Sequence, residues 1–273
     1  MTIFQSLILG IVQGITEFLP ISSSAHLVLI PYFFKWDIAE EFIFPFDVLV
    51  QMGTLIAVII YFRQDLISII RCFFRDIKNK QPFHSNESRL GLLIIIATIP
   101  AGAIGYFLDD VVEQAFQNPM LTAFFLLVTA GLMLLSEKFS KKEKDLSDMS
   151  TIDALWIGFF QLMAIFPGIS RSGATISGGL FKNFKRETAA RFSFLISIPI
   201  MLAAGLKSML DLNQISQINE FLPIMAIGFI TSAIVGYVSI AWLLKFLNKN
   251  RINIFSYYCI LLALATFLIN YAK

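Results

Sequence analysis

Two short stretches of the chain hold the side chains able to do chemistry. In the first, QGITEFLPISSSAHL from Gln13 to Leu27, Gln13 and Glu17 stand four residues apart, one above the other on a single helix face. That pair can offer two oxygens to a hard divalent cation such as Mg2+ or Ca2+. Beside it, Ser22, Ser23 and Ser24 supply hydroxyls, and His26 can act as general base, general acid or nucleophile near neutral pH. In the second, PGISRSGATISGG from Pro167 to Gly179, Arg171 is a planar, permanently charged fork suited to phosphate. Ser170, Ser172 and the backbone N–H groups at the start of the helix that follows add donors and a favourable dipole. A cation, an anion cradle, a hydroxyl and an imidazole suffice for phosphoryl transfer. Plainer roles compete: serines satisfy backbone groups or let membrane helices pack closely, and His26 suits a membrane interface. A structural salt bridge between Glu17 and Arg171 explains both charges but not the serines around each.

These groups sit in an unusually apolar chain. Of 273 residues, 57% are hydrophobic and only 15% charged, and the mean hydropathy is +0.75, so the bilayer is the expected solvent. A formal net charge of +2, with no basic run interleaved with aromatics, excludes nucleic acid as a partner. Cys72 and Cys259 lack the close spacing of a zinc or redox site and read as packing residues. The first apolar run has no Lys or Arg before it and leads into Glu17 and Pro20, unlike a cleaved signal peptide.

Spanning helices need roughly 20 mostly apolar residues. Six stretches qualify, at about 46–62, 90–108, 119–136, 188–206, 221–244 and 252–271. Two more, about 3–34 and 152–181, are interrupted at FLPISSSAH and FPGISRSG and read as re-entrant helix–loop–helix hairpins. Irregular backbone at membrane depth is tolerated only where it is buried in protein or lines a wet cavity, so each break predicts a cavity. Seventeen of the 21 Lys and Arg residues fall in the connections 63–89, 137–149, 182–191 and 245–251, which places those connections in the cytoplasm. Segment 109–118, with Asp109, Asp110 and Glu113 and no cation, belongs outside, as do both termini. The expected fold is an all-α integral membrane protein with six transmembrane helices and two re-entrant hairpins.

The hairpins also match each other. Shifting by 148 residues superimposes Gly10 on Gly158, Gln13 on Gln161, Phe18 on Phe166, Ile21 on Ile169, Ser22 on Ser170 and Ser24 on Ser172. Residues 1–273 then form one membrane domain of two inverted-topology repeats, 1–136 and 150–273, with the binding site at their interface near mid-membrane. Arg171 is the one cation inside an apolar stretch, and Glu17 and His26 occupy the first break. Ionisable groups at such depth default to function, and all three are expected to line the cavity. Asp47 is read as starting a spanning helix, where a carboxylate favours the helix dipole. A transporter or lipid flippase is the rival class, with Arg171 as substrate counter-ion and Glu17 as a coupling-ion or proton site.

Both motifs, and FDVLVQMGTLIAV from Phe46 to Val58, resemble the undecaprenyl-diphosphate phosphatase family, also called bacitracin resistance proteins, over essentially the whole chain. The resemblance implies hydrolysis of undecaprenyl diphosphate to undecaprenyl phosphate and inorganic phosphate, recycling the lipid carrier for cell-wall synthesis. It implies a bacterial inner-membrane enzyme, with its site open to the outer, periplasmic side and a homodimer as a family expectation. By that resemblance Gln13 and Glu17 fall on the metal-linked Glu/Gln-x-x-x-Glu motif, Ser23 and His26 on the catalytic serine and histidine, and Arg171 on the phosphate-binding arginine. Ser170, Ser172 and Thr175 fall on the polar lining of its loop. Gln at position 13 removes one negative charge from the metal site. The nucleophile remains open among Ser23 activated by His26, His26 itself, and water activated by His26.

Overall fold

A computed structural model describes residues 1–38, 40–105, 118–212 and 218–272. Among them the chain is all helical. The first break separates α1 (Ile3–Thr16) from α2 (Ser23–Phe34); α3 (Glu40–Tyr61), α4 (Arg63–Lys78), α5 (Asn86–Gly105) and α6 (Pro119–Phe139) follow. After a single 3-10 turn, the second break separates α7 (Thr151–Met163) from α8 (Arg171–Phe181), and α9 (Arg186–Leu212), α10 (Ile218–Lys249) and α11 (Asn253–Tyr271) complete the fold. Helices α5, α6, α9, α10 and α11 are long and apolar enough to cross a membrane, and α3, bent by 69° into α4, is the candidate sixth span. The protein is a multi-pass membrane protein. The acidic segment expected outside, at 109–118, falls almost wholly outside the described residues.

Both breaks have local causes. Ser22 adopts a φ of 68°, a region that non-glycine residues rarely enter and that clusters at functional sites. It ends the irregular turn after Pro20 and accepts a hydrogen bond from the Ala25 N–H at 3.3 Å, capping α2. Ser170 caps α8 likewise, accepting from the Gly173 N–H at 3.1 Å. Gly168, at φ 98°, is required: a Cβ there would lie 2.3 Å from the Thr122 carbonyl oxygen. Upstream, α1 and α7 each open with a capping box, Thr2 with Gln5 and Ser150 with Asp153. At about 1.5 Å per residue, each of α1, α2, α7 and α8 is shorter than a hydrocarbon core of about 30 Å.

Two readings need correction. The connection 63–89 contains a 16-residue helix, α4, because Ile67, Ile70, Phe74 and Ile77 recur at helical spacing. That stripe is exposed and flanked along one edge by Arg71, Arg75 and Lys78, with Cys72 and Asp76 buried on the other face, as in a helix lying in a membrane interface. Asp47 is the eighth residue of α3 and not its start. A helix-dipole role fades within the first turn and does not reach it.

Packing relies on close backbone approach. A Cβ at Gly10 would meet the Gly228 carbonyl oxygen at 2.7 Å, and one at Gly53 the Phe229 carbonyl oxygen at 2.4 Å, so α1 and α3 lie directly on α10. Gly158, matched to Gly10 by the shift of 148, approaches the Ala97 carbonyl oxygen of α5 at 2.5 Å by the same measure. Without a hydrophobic drive between helices in lipid, this intimacy is what dispersion requires. Phe18, fully buried, meets Phe194 of α9 edge to face at 5.2 Å and ties the first break to the long helices. Replacing Gly10 with Leu should push α1 off α10 and cost about 1–3 kcal/mol, read as a lowered melting temperature of the detergent-solubilised protein.

Candidate active site

Glu17 closes α1, its N–H donating to the Gln13 carbonyl at 2.9 Å. The register this fixes aims the carboxylate across the first break, where it is buried. Oε1 accepts from Arg171 Nη2 at 2.5 Å, while Oε2 accepts from Gln13 Nε2 at 2.9 Å and from the Ser23 hydroxyl at 2.6 Å. Arg171 opens α8, so the guanidinium leaves the second break as the carboxylate leaves the first. Its Nη1 is buried and, among the described residues, has no hydrogen-bond partner. A permanently charged donor left open in this way is a receptor for an anion oxygen.

A cavity of about 610 Å³ adjoins these groups, with Glu17, Ser22, Ser23, Ser24, Ser170 and Arg171 on its polar side. Ala101, Ile165, Ile200 and Met201 form part of its apolar side. The volume and the few convergent polar groups match a small-molecule site. The remaining hydroxyls build the wall. Ser172 donates to the Leu19 carbonyl at 3.1 Å. Thr129 of α6 accepts from the Ser170 N–H at 3.0 Å and donates to the Gly168 carbonyl at 2.9 Å. Thr175 donates to the Arg171 carbonyl at 2.7 Å and meets Ser193 at 2.6 Å. Ser172 and Thr175 thus hold the loop from behind and are not among the residues lining the cavity.

His26 departs from expectation. Its Nδ1 lies 2.7 Å from the Ser22 carbonyl, and its Nε2 2.7 Å from the Tyr258 hydroxyl of α11. A carbonyl only accepts, so in the neutral ring Nδ1 carries the proton and Nε2 accepts from Tyr258. The two rings are nearly parallel, 4° apart. His26 is buried and is not among the cavity-lining residues, because its ring turns back onto the first turn of its own helix and is held there by α11. The partner of Ser23 is Glu17.

Three participants had no clear signal in the sequence. Tyr258 sits in an ordinary apolar span. Gln161, the match of Gln13, lines the cavity, and its Oε1 is buried without a partner. Gln51 lines the cavity from α3. The 148-residue shift singled out Gln161 as a repeat position without giving it a role.

For a divalent cation the relevant atoms are oxygens. Among the described residues Gln13 Oε1 is buried and unpartnered, while its Nε2 donates to the Glu17 carboxylate, which also accepts from the Ser23 hydroxyl. The described residues include no group of three His, Cys, Asp or Glu able to hold a metal. One carboxylate, one amide oxygen and a hydroxyl fit a hard cation that takes its other ligands from water and phosphate.

Fold and site together define an all-helical membrane protein whose cavity offers a hydroxyl, a carboxylate and an open guanidinium to an anion. Residues 6–265 match the sequence model of the bacitracin resistance protein BacA family, and the chain belongs to that family. It is 40% identical over 276 residues to the undecaprenyl-diphosphatase of Thermomicrobium roseum, covering 98% of each chain. It is 40% identical over 277 residues to that of Methanosphaera stadtmanae, again covering 98% of each. The identity to that of Caldicellulosiruptor bescii is 42% over 266 residues, covering 96% of each.

Removing one member of the Glu17–Arg171 pair leaves the other charge buried alone. Arg171→Met should cost about 3 kcal/mol, the low end for buried pairs because Arg171 borders the cavity. The Glu17→Gln/Arg171→Met double variant should recover part of that loss in a thermal-melt double-mutant cycle. Additive losses would mean that the two groups do not support each other.

Proposed function

We propose that this chain hydrolyses undecaprenyl diphosphate to undecaprenyl phosphate and inorganic phosphate, recycling a lipid carrier of cell-wall synthesis and so conferring bacitracin resistance. The observation that carries this reading is that two cavity-lining residues, Ser23 and Arg171, are bridged by Glu17, which accepts from the Ser23 hydroxyl and from Arg171 Nη2. Family membership and the names of the relatives point to the same substrate.

In the mechanism we favour, the terminal phosphate enters beside Arg171, whose Nη1 takes one of its oxygens and neutralises charge as it develops. Ser23 Oγ attacks the terminal phosphorus and passes its proton to Glu17 Oε2, already 2.6 Å away. The bond to the bridging oxygen breaks, and its electron pair leaves with undecaprenyl phosphate. Water then displaces the serine from phosphorus, the proton on Glu17 returns to Oγ, and inorganic phosphate departs. A divalent cation, Mg2+ or Ca2+, held by Glu17 and Gln13 Oε1 would add further charge neutralisation. His26 positions the loop, joined through Tyr258 to α11, and in this reading does not touch the reacting atoms.

The same reading makes the two broken helix pairs re-entrant hairpins of an inverted repeat. Support comes from the 148-residue shift, which carries the bounds of α1 and α2 onto those of α7 and α8 to within one residue. The cation-rich connections support the reading that the protein sits in the cytoplasmic membrane with its cavity facing outward.

Ser23→Ala should lower phosphate release from undecaprenyl diphosphate by roughly 1,000-fold or more through kcat, with KM little changed. His26→Ala should lose far less than Ser23→Ala, and equal losses would return His26 to the chemistry. Stripping cations with a chelator should cut release by at least about tenfold, with recovery on adding Mg2+ or Ca2+. Undiminished release after chelation would remove the cation from the mechanism.

A further inference from the structure

A second cavity, of about 570 Å³, lies among Glu137, Lys138, Lys142, Arg186, Arg251 and Asn253. It is remote from the first: α9 contributes Arg186 here and Ile200 to the catalytic cavity, about 21 Å apart at 1.5 Å per residue. Four cations face a single carboxylate. Glu137, buried, binds Arg186 through both of its carboxylate oxygens and has Lys142 Nζ at 3.4 Å. Lys142 Nζ is further occupied by the carbonyls of Glu137 and Ser140 at 2.8 and 2.9 Å. Glu137 therefore fixes two of the cations and leaves the other two uncompensated. Among the described residues no carboxylate lies within ion-pair distance of Lys138 or Arg251. The cavity also meets the start of α11, where Ile252 gives no side-chain cap and the Phe255 N–H donates to the Ile252 carbonyl at 3.0 Å.

The apolar surroundings favour a lipid. On α6, Leu135 and Phe139 are 50% and 65% exposed; on α11, which packs beside α6, Ile254 and Leu261 are 58% and 67% exposed. An anion seated among the cations would have a lipid-facing apolar flank beside it, which a free anion leaves unused. We propose that this cavity binds the phosphate group of an anionic lipid in the leaflet on the cation-rich side of the protein. Phosphodiester oxygens take the place of the missing carboxylates, meeting Arg251 and Lys138 beside the start of α11, while the acyl chains lie along α6 and α11. Glu137 acts as the strut that holds Arg186 and Lys142 at the back of the site.

Native mass spectrometry of the full chain with added phosphatidylglycerol or phosphatidylcholine tests this. The wild type should retain phosphatidylglycerol preferentially, and Lys138→Gln/Arg251→Gln should retain about tenfold less of it. Lys78→Gln/Lys80→Gln removes the same charge elsewhere and should stay within twofold of wild type. Phosphate release by the Lys138→Gln/Arg251→Gln variant, within twofold of wild type, checks that it is folded. If it is not, Arg251→Lys, which keeps the charge, should retain the lipid while Arg251→Gln does not. Retention unaffected by excess inorganic phosphate identifies a lipid headgroup, and displacement identifies phosphate itself as a ligand of the same site. Equal retention of the two lipids, equal retention by wild type and the Lys138→Gln/Arg251→Gln variant, or an equal loss in Lys78→Gln/Lys80→Gln would overturn the proposal.

Discussion

The ion pair between Glu17 and Arg171 joins two helix breaks 154 residues apart in the chain. Within a helix bundle built for lipid, neither charge is tolerable alone: an unpaired ionised side chain there costs several kcal/mol. Pairing them brings the end of α1 to the start of α8, and with that come the two serine-rich loops. The same pair settles what the site can do, because each partner keeps something in reserve. Glu17 spends one oxygen on Arg171 and keeps the other for Ser23 and Gln13. Arg171 spends Nη2 and keeps Nη1.

An ion pair alone would not hold the irregular backbone of the two breaks. The loops must also satisfy their own buried N–H and C=O groups. Hydroxyls take up that task. Thr129 serves a donor and an acceptor of the second break at once, and Ser172 reaches the Leu19 carbonyl of the first. Ser24 accepts from the Gly168 N–H at 3.4 Å. The plainer reading of these serines, as backbone satisfiers, therefore holds for Ser24, Ser172 and Thr175. Ser23 differs from them. All three serines of the run line the cavity, but only the Ser23 hydroxyl donates to a carboxylate, that of Glu17.

Much of this was legible in the sequence for identifiable reasons. Apolar runs of membrane-spanning length located α3, α5, α6, α9, α10 and α11, because in lipid the requirement for internal hydrogen bonding leaves little choice but a helix. Charge accounting located Glu17 and Arg171, because a membrane leaves few places for charge. What stayed hidden depended on direction or on long-range partners. Glu40–Phe44 continue α3 upstream of Pro45, which moved Asp47 into the helix. His26 lies not in the break but in the first turn of α2, and which way its ring turns depends on Tyr258, 232 residues away. No local pattern could pair Ser23 with Glu17 in preference to His26, since both lie within one or two helical turns of it.

The polar and apolar parts of the first cavity's lining impose opposite demands that a lipid diphosphate meets together. The polar part is crowded, with a carboxylate, a guanidinium and several hydroxyls in mutual contact, and any anion admitted there must give up water for fixed donors. The apolar part includes Gly102 and Ala101 of α5 and Ala203 and Ala204 of α9, and of these Gly102, Ala203 and Ala204 are exposed at helix surfaces. Small residues on lipid-facing helices leave room for a chain to pass without breaching the bundle. A soluble phosphate ester would use the first surface and gain nothing from the second, while a neutral lipid would find Arg171 Nη1 still unpaired. An anionic head on an apolar tail satisfies both, and this complementarity limits what the cavity accepts before any detail of the chemistry is considered.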